Sequence, residues 1–296
     1  MPPLLAVPNV SEGGDAERLD RLQRAFTRGA TLLDRHSDAD HGRSVFTLAG
    51  QPGPLAEALA AGAAAALEAI DMDSYRGAHP AIGALDVCPV VWFDPGDREA
   101  ARAEAEAVAA RIGDLGVPVF LYGELARDPG RTERAYFRSG GLAELWLRME
   151  SGELRPDFGP PLPHRTGGAT LVTARPPLAA FNVELDTDDV EIARVAAAGL
   201  REAGGGPVGV RAIGLLLSGG RAQVSTNVHD PLTVPLGEVV ERVRALAAPL
   251  GARPLEAELV GLIPRAALVD YPADVPMRGF DPRRHVIEAR LAEATD

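Results

Sequence analysis

A single cysteine, Cys88, leaves nothing to pair with, so no internal disulfide forms and a reducing compartment fits. Basic charge is scarce: 30 Lys and Arg stand against 42 Asp and Glu, a formal charge of −12. Such a field repels phosphate backbones and anionic lipids, so neither nucleic acid nor a membrane surface is an expected partner. A small anionic substrate remains compatible where arginines gather locally. No apolar run is long enough to cross a bilayer. The longest, Ala56 to Ile70, is interrupted by Glu57 and Glu68 and reads as a packed amphipathic helix. Met1-Pro2-Pro3-Leu4-Leu5 lacks a basic region and a cleavage site, so a cytoplasmic protein is expected. Phosphate loops are missing as well. Gly204-Gly205-Gly206 lacks the Gly-x-Gly-x-x-Gly spacing, and no Gly-Lys-Ser/Thr or Gly-x-Ser-x-Gly occurs. Dinucleotide, ATP and serine-hydrolase readings have no support.

What is present is ordinary globular composition, 46% hydrophobic and 24% charged, over 296 residues. That length exceeds one usual core, so two lobes are expected. Apolar strands are predicted at Leu4 to Val10, Ala30 to Leu33, Ser44 to Ala49, Val87 to Phe93, Val119 to Tyr122 and Ala169 to Ala174. Between them lie helices around Leu19, Leu22 and Phe26 (with Asp15 as cap), over Pro54 to Ile70, and over Arg98 to Leu115. Residues 127 to 167 show no clear period, and Pro156 to Pro161 reads as an ordered connection. Arg175-Pro176-Pro177 marks a lobe boundary, giving domains 1–175 and 176–296.

The second lobe is predicted as a strand Ala180 to Leu185 and a helix capped by Asp188 or Asp189 and stopped by Gly204 to Gly206. A hairpin follows across Ser218-Gly219-Gly220, then a helix Leu236 to Leu250 and a strand Glu256 to Leu262. Leu115-Gly116 before a strand echoes Leu250-Gly251 before another, which suggests that the lobes share a βαβ-type plan.

The chain is organised around Gly77-Ala78-His79-Pro80-Ala81-Ile82-Gly83, a loop punctuated by glycine and proline just before a buried strand. A lone loop histidine is ordinarily exposed or hydrogen-bonded without chemistry, but catalytic groups also sit on loops held by a rigid scaffold. Cys88, inside the apolar strand, reads as a small buried hydrophobe rather than a nucleophile. His36, Asp38 and Asp40 would share a face if extended, and with His41 they could ligate a divalent metal. No further motif completes such a set. A carboxylate beside an imidazole can instead orient it as an acid or base. Asn182 and Asn227 are polar residues at strands, placed either for ladder-end hydrogen bonding or to grip a planar heterocycle.

Nine segments in order resemble the formiminotransferase domain family. They are Val7 to Gly13, Arg43 to Thr47, His79 to Pro89, Tyr122 to Glu124, Pro156 to Pro160, Gly168 to Arg175, Ala180 to Val183, Gln223 to Asn227 and Glu258 to Leu262. The resemblance implies an α/β fold (α+β, a ferredoxin-like variant) of two subdomains. Each would be a mixed β-sheet backed by helices, with the folate groove between them. It implies formimino transfer between N-formiminoglutamate and tetrahydrofolate, a late step of histidine breakdown, with tetrahydrofolate as co-substrate, no metal, and a homodimer. His79 matches the family's catalytic histidine, and its role would be general base and acid. His36 and Asp38 would assist. His36 stands where some members carry an acidic residue, so Asp38 or Asp40 would supply the charge. Folate or substrate contacts are expected from Asn9, Ser11, Glu12, Gly168, Ala169, Thr170, Asn182 and Asn227, with Arg43 on a substrate carboxylate. The chain ends at Asp296, so no cyclodeaminase domain is expected.

Three other readings compete. A related enzyme could use a formyl donor or 5-formyltetrahydrofolate. A folate-binding protein would show affinity without turnover. A metal-dependent hydrolase would use His36, Asp38, Asp40 and His41.

Overall fold

The computed structural model describes residues 3–39, 41–77, 80–217 and 219–295. It divides into two units, Met1–Pro176 and Pro177–Asp296. Pro8 splits the first expected strand into β1 (Leu4–Ala6) and β2 (Asn9–Val10), because proline has no N–H to give a ladder. The break stays pinned on both sides, with Val7 N–H donating to Pro89 O and Phe46 N–H to Pro8 O, each at 3.0 Å. Helix α1 (Ala16–Phe26) follows, its first turn capped by Asp15, which accepts from Arg18 N–H. The polar cluster after it is a hairpin: β3 (Thr31–Asp38) and β4 (Arg43–Gly50) pair with Asp38 opposite Arg43.

Helix α2 (Pro54–Ala69) opens on a proline, and its amides are satisfied from elsewhere in the unit. The Glu104 carboxylate of α3 (Arg98–Asp114), only 5% exposed, accepts from Gly53 N–H at 2.9 Å and Ala56 N–H at 2.7 Å. Orphan donors at a helix start take a carboxylate well. Between these helices runs β5 (Leu85–Val91), buried at every position. The remaining elements are β6 (Val119–Leu121), two short helices α4 (Arg134–Arg138) and α5 (Gly141–Glu150), and β7 (Thr170–Arg175). Helix α4 has five residues, too few for a hydrophobic period to show.

The sheet of the first unit has seven strands. Strands β1 and β2 lie between β4 and β5, and all these pairs, with β3–β4, are antiparallel. Strands β7 and β6 extend the sheet in parallel beyond β5. One face packs Leu22, Phe26, Leu59 and Ile112 of α1 to α3 against Phe46, Leu48 and Val90. The other packs Phe137, Leu145 and Met149 of α4 and α5 against Val87, Phe120 and Leu171. Coverage on both faces is why β5 reads as an apolar run from Val87 onward.

In the second unit β8 (Ala179–Leu185), α6 (Val190–Leu200), β9 (Val210–Leu216), β10 (Ala222–Val228), α7 (Leu236–Ala247) and β11 (Pro254–Val260) form a four-stranded sheet of order β11-β8-β10-β9. This is the ferredoxin-like split βαβ arrangement. Every pair in this sheet is antiparallel, as that strand order requires when each crossover passes over one strand, whereas the sheet of the first unit mixes antiparallel and parallel pairs. Asp189, not Asp188, caps α6 through Glu191 N–H. Helix α6 ends at Leu200, ahead of Gly204, and the left-handed residue is Gly205.

Strands β1/β2, β3, β4 and β5 of the first unit follow the same order, so the two units share one core plan. The Leu-Gly echo does not carry it. That echo links α3–β6 with α7–β11, whereas the plan makes α2–β5 the counterpart of α7–β11. Among the described residues no helix is long and apolar enough to cross a membrane.

Candidate active site

His79 and Ala78 lie outside the described residues, as does Asp40. The chain on either side of the histidine is tightly fixed. After it, Ile82 N–H donates to Asp86 Oδ1 at 2.8 Å, and Ala84 N–H donates to Gly167 O at 2.9 Å. Ala169 N–H returns to Ile82 O at 2.8 Å, and Ser11 Oγ donates to Gly83 O at 2.7 Å. Gly83 and Gly168 face each other in an antiparallel bridge. A Cβ on Gly83 would land on the Ala169 carbonyl oxygen, and one on Gly168 (φ +67°) on that of Ile82. Only glycine permits this approach. Before the histidine, Gly77 rests on the β3–β4 turn, and Tyr75 Oη donates to His41 O at 3.1 Å.

Several expected ligand contacts turn out to hold the scaffold. Ser11, 6% exposed, spends its hydroxyl on the loop. Thr170, 1% exposed, donates its hydroxyl to Leu85 O at 2.7 Å, and Ala169 is fully buried. Asn9 Nδ2 donates to Val7 O at 2.9 Å across the Pro8 break. Glu12 Oε1 accepts from the N–H groups of Gly14 and Asp15, and Oε2 from Arg18 at 3.1 Å. Burial raises the Glu12 carboxyl, but those backbone donors and Arg18 outweigh it and hold it below the usual range.

His36 and Asp38 alternate along β3 and are half-buried on one face. Asp38 closes the hairpin turn: Oδ1 accepts from His41 N–H at 2.9 Å, and Oδ2 lies 2.6 Å from His41 Nδ1. Among the described residues, no three His, Cys, Asp or Glu side chains gather as a metal site. Cys88 is fully buried, and burial pushes its thiol up to about 12, the inert state expected of a core cysteine.

Arg43, at the start of β4, is half-buried beside a group of residues the sequence alone did not single out. Asp86, 4% exposed on β5, meets the Arg138 guanidinium of α4 in an ion pair. Burial lowers the Arg43 guanidinium, and the positive fields of Arg138 and Arg134 lower it further, with Asp38 and Asp86 opposing. Burial raises the phenol of Tyr122, and that of Tyr75 with Asp86 adding to it. Arg175, at the end of β7, is pulled down to about 10 by loss of water around it. Two signals in the sequence pointed here: a lone acid, Asp86, inside an apolar run, and arginines at 134 and 138, one helical turn apart.

Asn182 and Asn227 belong to the second unit. Both lie on the sheet face away from α6 and α7, since Phe181, Val183, Val224 and Val228 on the alternate positions fill the helix-side core. Asn182 pairs in register with Ser225, two residues from Asn227, and its Nδ2 donates to Glu258 Oε2 at 3.1 Å. The two amides thus share one polar face.

Fold and site together define a protein of two α/β subdomains, one of which sets a glycine-clamped loop beside a surplus of arginine. A model described as the formiminotransferase domain, N-terminal subdomain, matches residues 4–175, and one described as the formiminotransferase domain matches residues 180–274. The chain belongs to the formiminotransferase family.

It is 35% identical to a glutamate formimidoyltransferase of Thermoplasma acidophilum over 98% of this chain and 97% of that protein. It is 37% identical to one of Streptococcus pyogenes serotype M1, over 96% and 97%. A formimidoyltransferase-cyclodeaminase of Gallus gallus is 39% identical over 89% of this chain and 50% of its own length.

Proposed function

We infer that this chain transfers a formimino group between N-formiminoglutamate and tetrahydrofolate. The observation that carries this reading is near-end-to-end similarity to two proteins named glutamate formimidoyltransferase. In the direction toward folate, N5 of tetrahydrofolate attacks the formimino carbon and a C–N bond forms. The tetrahedral intermediate then breaks its bond to the glutamate nitrogen, which leaves as an amine. One proton leaves N5 and one reaches the departing nitrogen. An imidazole titrating near neutrality does both, and His79 is the residue assigned to that task. The rest of the acceleration comes from holding two reactants together. The clamped residues 82–84 suit that need, because they give the chain just after the histidine a fixed backbone.

Domains 1–175 and 176–296, a homodimer, a cytoplasmic location and folate contacts from Asn182 and Asn227 belong to the same reading. So does assistance to His79 from the Asp38 carboxylate and His36. The test is direct: purified protein with N-formiminoglutamate and tetrahydrofolate should yield 5-formiminotetrahydrofolate and glutamate. His79→Ala should lose turnover by about 100-fold or more while still binding folate. Turnover with formyl donors alone would favour the related folate enzyme. Folate affinity without turnover would favour a binding protein.

A further inference from the structure

The arginines around Asp86 are unequal. Arg138 is committed to the Asp86 carboxylate, and its Nε is buried with no partner. Arg134 lies one turn earlier on the same face of α4. Arg43 and Asp86 flank Ser44 and Leu85, which both pair with Val10, so Arg43 lies at the same end of the sheet as the Asp86–Arg138 pair. Helix α4 cannot drift, since Phe137 packs on Phe120 at 5.1 Å and Tyr136 lies under the Arg148 guanidinium at 4.5 Å. Among the described residues, neither Arg43 nor Arg134 has a carboxylate within ion-pairing distance or a side-chain hydrogen bond. The chain has 12 more acids than bases, and most of its other arginines are ion-paired. The chain also contains no lysine, so every fixed side-chain cation is a guanidinium, whose fork matches a carboxylate.

We propose that Arg43 and Arg134 together bind the two carboxylates of a glutamyl group, one guanidinium to each, with Arg138 held by Asp86 as the positioning residue between them. This deepens the reading of a formimino transferase, whose donor and whose product both carry a glutamyl dicarboxylate. The tail of the folate carries the same chemistry, and the donor is the source assigned here. Two half-buried cations that repel one another are costly unless anions match them. A dicarboxylate pays that cost back, whereas a monocarboxylate leaves one guanidinium unmatched.

The experiment compares the wild type with Arg134→Gln and Arg43→Gln, each first shown folded by its thermal unfolding. For Arg134→Gln, KM for N-formiminoglutamate should rise about 10- to 100-fold, the loss of one charge-assisted contact, with kcat and KM for tetrahydrofolate little changed. A rise confined to KM for tetrahydrofolate, absent with a folate lacking its glutamyl tail, would overturn the donor assignment in favour of the tail. The second arm needs no turnover. Glutarate and butyrate are titrated calorimetrically into each protein. Glutarate should bind the wild type about tenfold or more tightly than butyrate, and the preference should vanish in both variants. Equal binding of the two acids by the wild type would overturn the site whatever the enzyme does. A glutarate preference that depends on both arginines, in a protein without formimino transfer, would sink the transferase reading and leave the dicarboxylate site standing.

Discussion

The Asp86 carboxylate ties the backbone of Ile82, four residues away, to the guanidinium of Arg138, 52 residues away. One oxygen fixes the backbone at Ile82, three positions after His79 in the chain, and the other holds Arg138 of α4, so a single buried acid ties that backbone to the arginine helix. Asp86 is thus a positioning residue: it acts through what it holds.

Breaking this pair from one side should be severe. Arg138→Met leaves the Asp86 charge buried and uncompensated, at a cost of about 3–5 kcal/mol. Combining Arg138→Met with Asp86→Asn removes both charges and keeps an acceptor for Ile82 N–H. The double variant should recover most of that loss. Urea unfolding of the two single variants and the double variant measures the coupling. Additive losses would show that the pair does not work as a unit.

Alkaline pH offers a second check, through Cys88. Its thiol is pushed from 9.0 to about 12 by burial. As pH rises past the lower value, the unfolded chain gives up this proton while the folded chain keeps it. The unfolded state is favoured in proportion. The contribution is therefore fully present below about pH 9 and declines toward pH 12, by about 2 kcal/mol at about pH 10.5. The Tyr75 and Tyr122 phenols, also raised, act in the same sense at higher pH. Denaturant unfolding at about pH 8 and 10.5 should show a smaller loss for Cys88→Ala than for the wild type. Equal losses would mean that the thiol reaches water in the folded state.

Legibility in the sequence followed how local each cause is. Asp15, Pro54 and the Asp188-Asp189 pair announce helix starts because a cap acts within one turn, and the structure places helices at all three. The hairpin into β10 was equally plain from Ser218-Gly219-Gly220. Helices α4 and α5 were not, since their apolar positions serve a second, smaller core on the far side of the sheet, and five residues carry no period. The site divides the same way. The histidine loop showed itself through its glycines and proline, but the Asp86–Arg138 pair depends on a contact 52 residues apart in the chain. Ser11 and Thr170 stood out as polar residues in matching segments. Their hydroxyls hold the backbone of Gly83 and Leu85, a job that residue type alone does not distinguish from holding a ligand.

The contact between Gly83 and Gly168 gives the last prediction. Two backbones meet where no side chain fits, and a Cβ at Gly83 would strike the carbonyl oxygen of Ala169, a residue whose own N–H is part of the clamp. Neither partner can yield cheaply, because Ala169 N–H is bonded to Ile82 O and Ala84 N–H to Gly167 O. Gly83→Ala should therefore shift the loop instead of the sheet. Its stability cost should be moderate, about 1–3 kcal/mol as for other overpacked sites. Formimino transfer should fall by more than the folded fraction does, with kcat hit harder than either KM, since the loop carries the histidine and not the substrate contacts. Gly219→Ala is the control: nothing lies within 4 Å of a Cβ there, in the β9–β10 turn, and it should leave both stability and turnover unchanged. If Gly83→Ala kept wild-type kcat at a temperature where it is fully folded, the clamp would be a stabilising feature with no part in aiming His79.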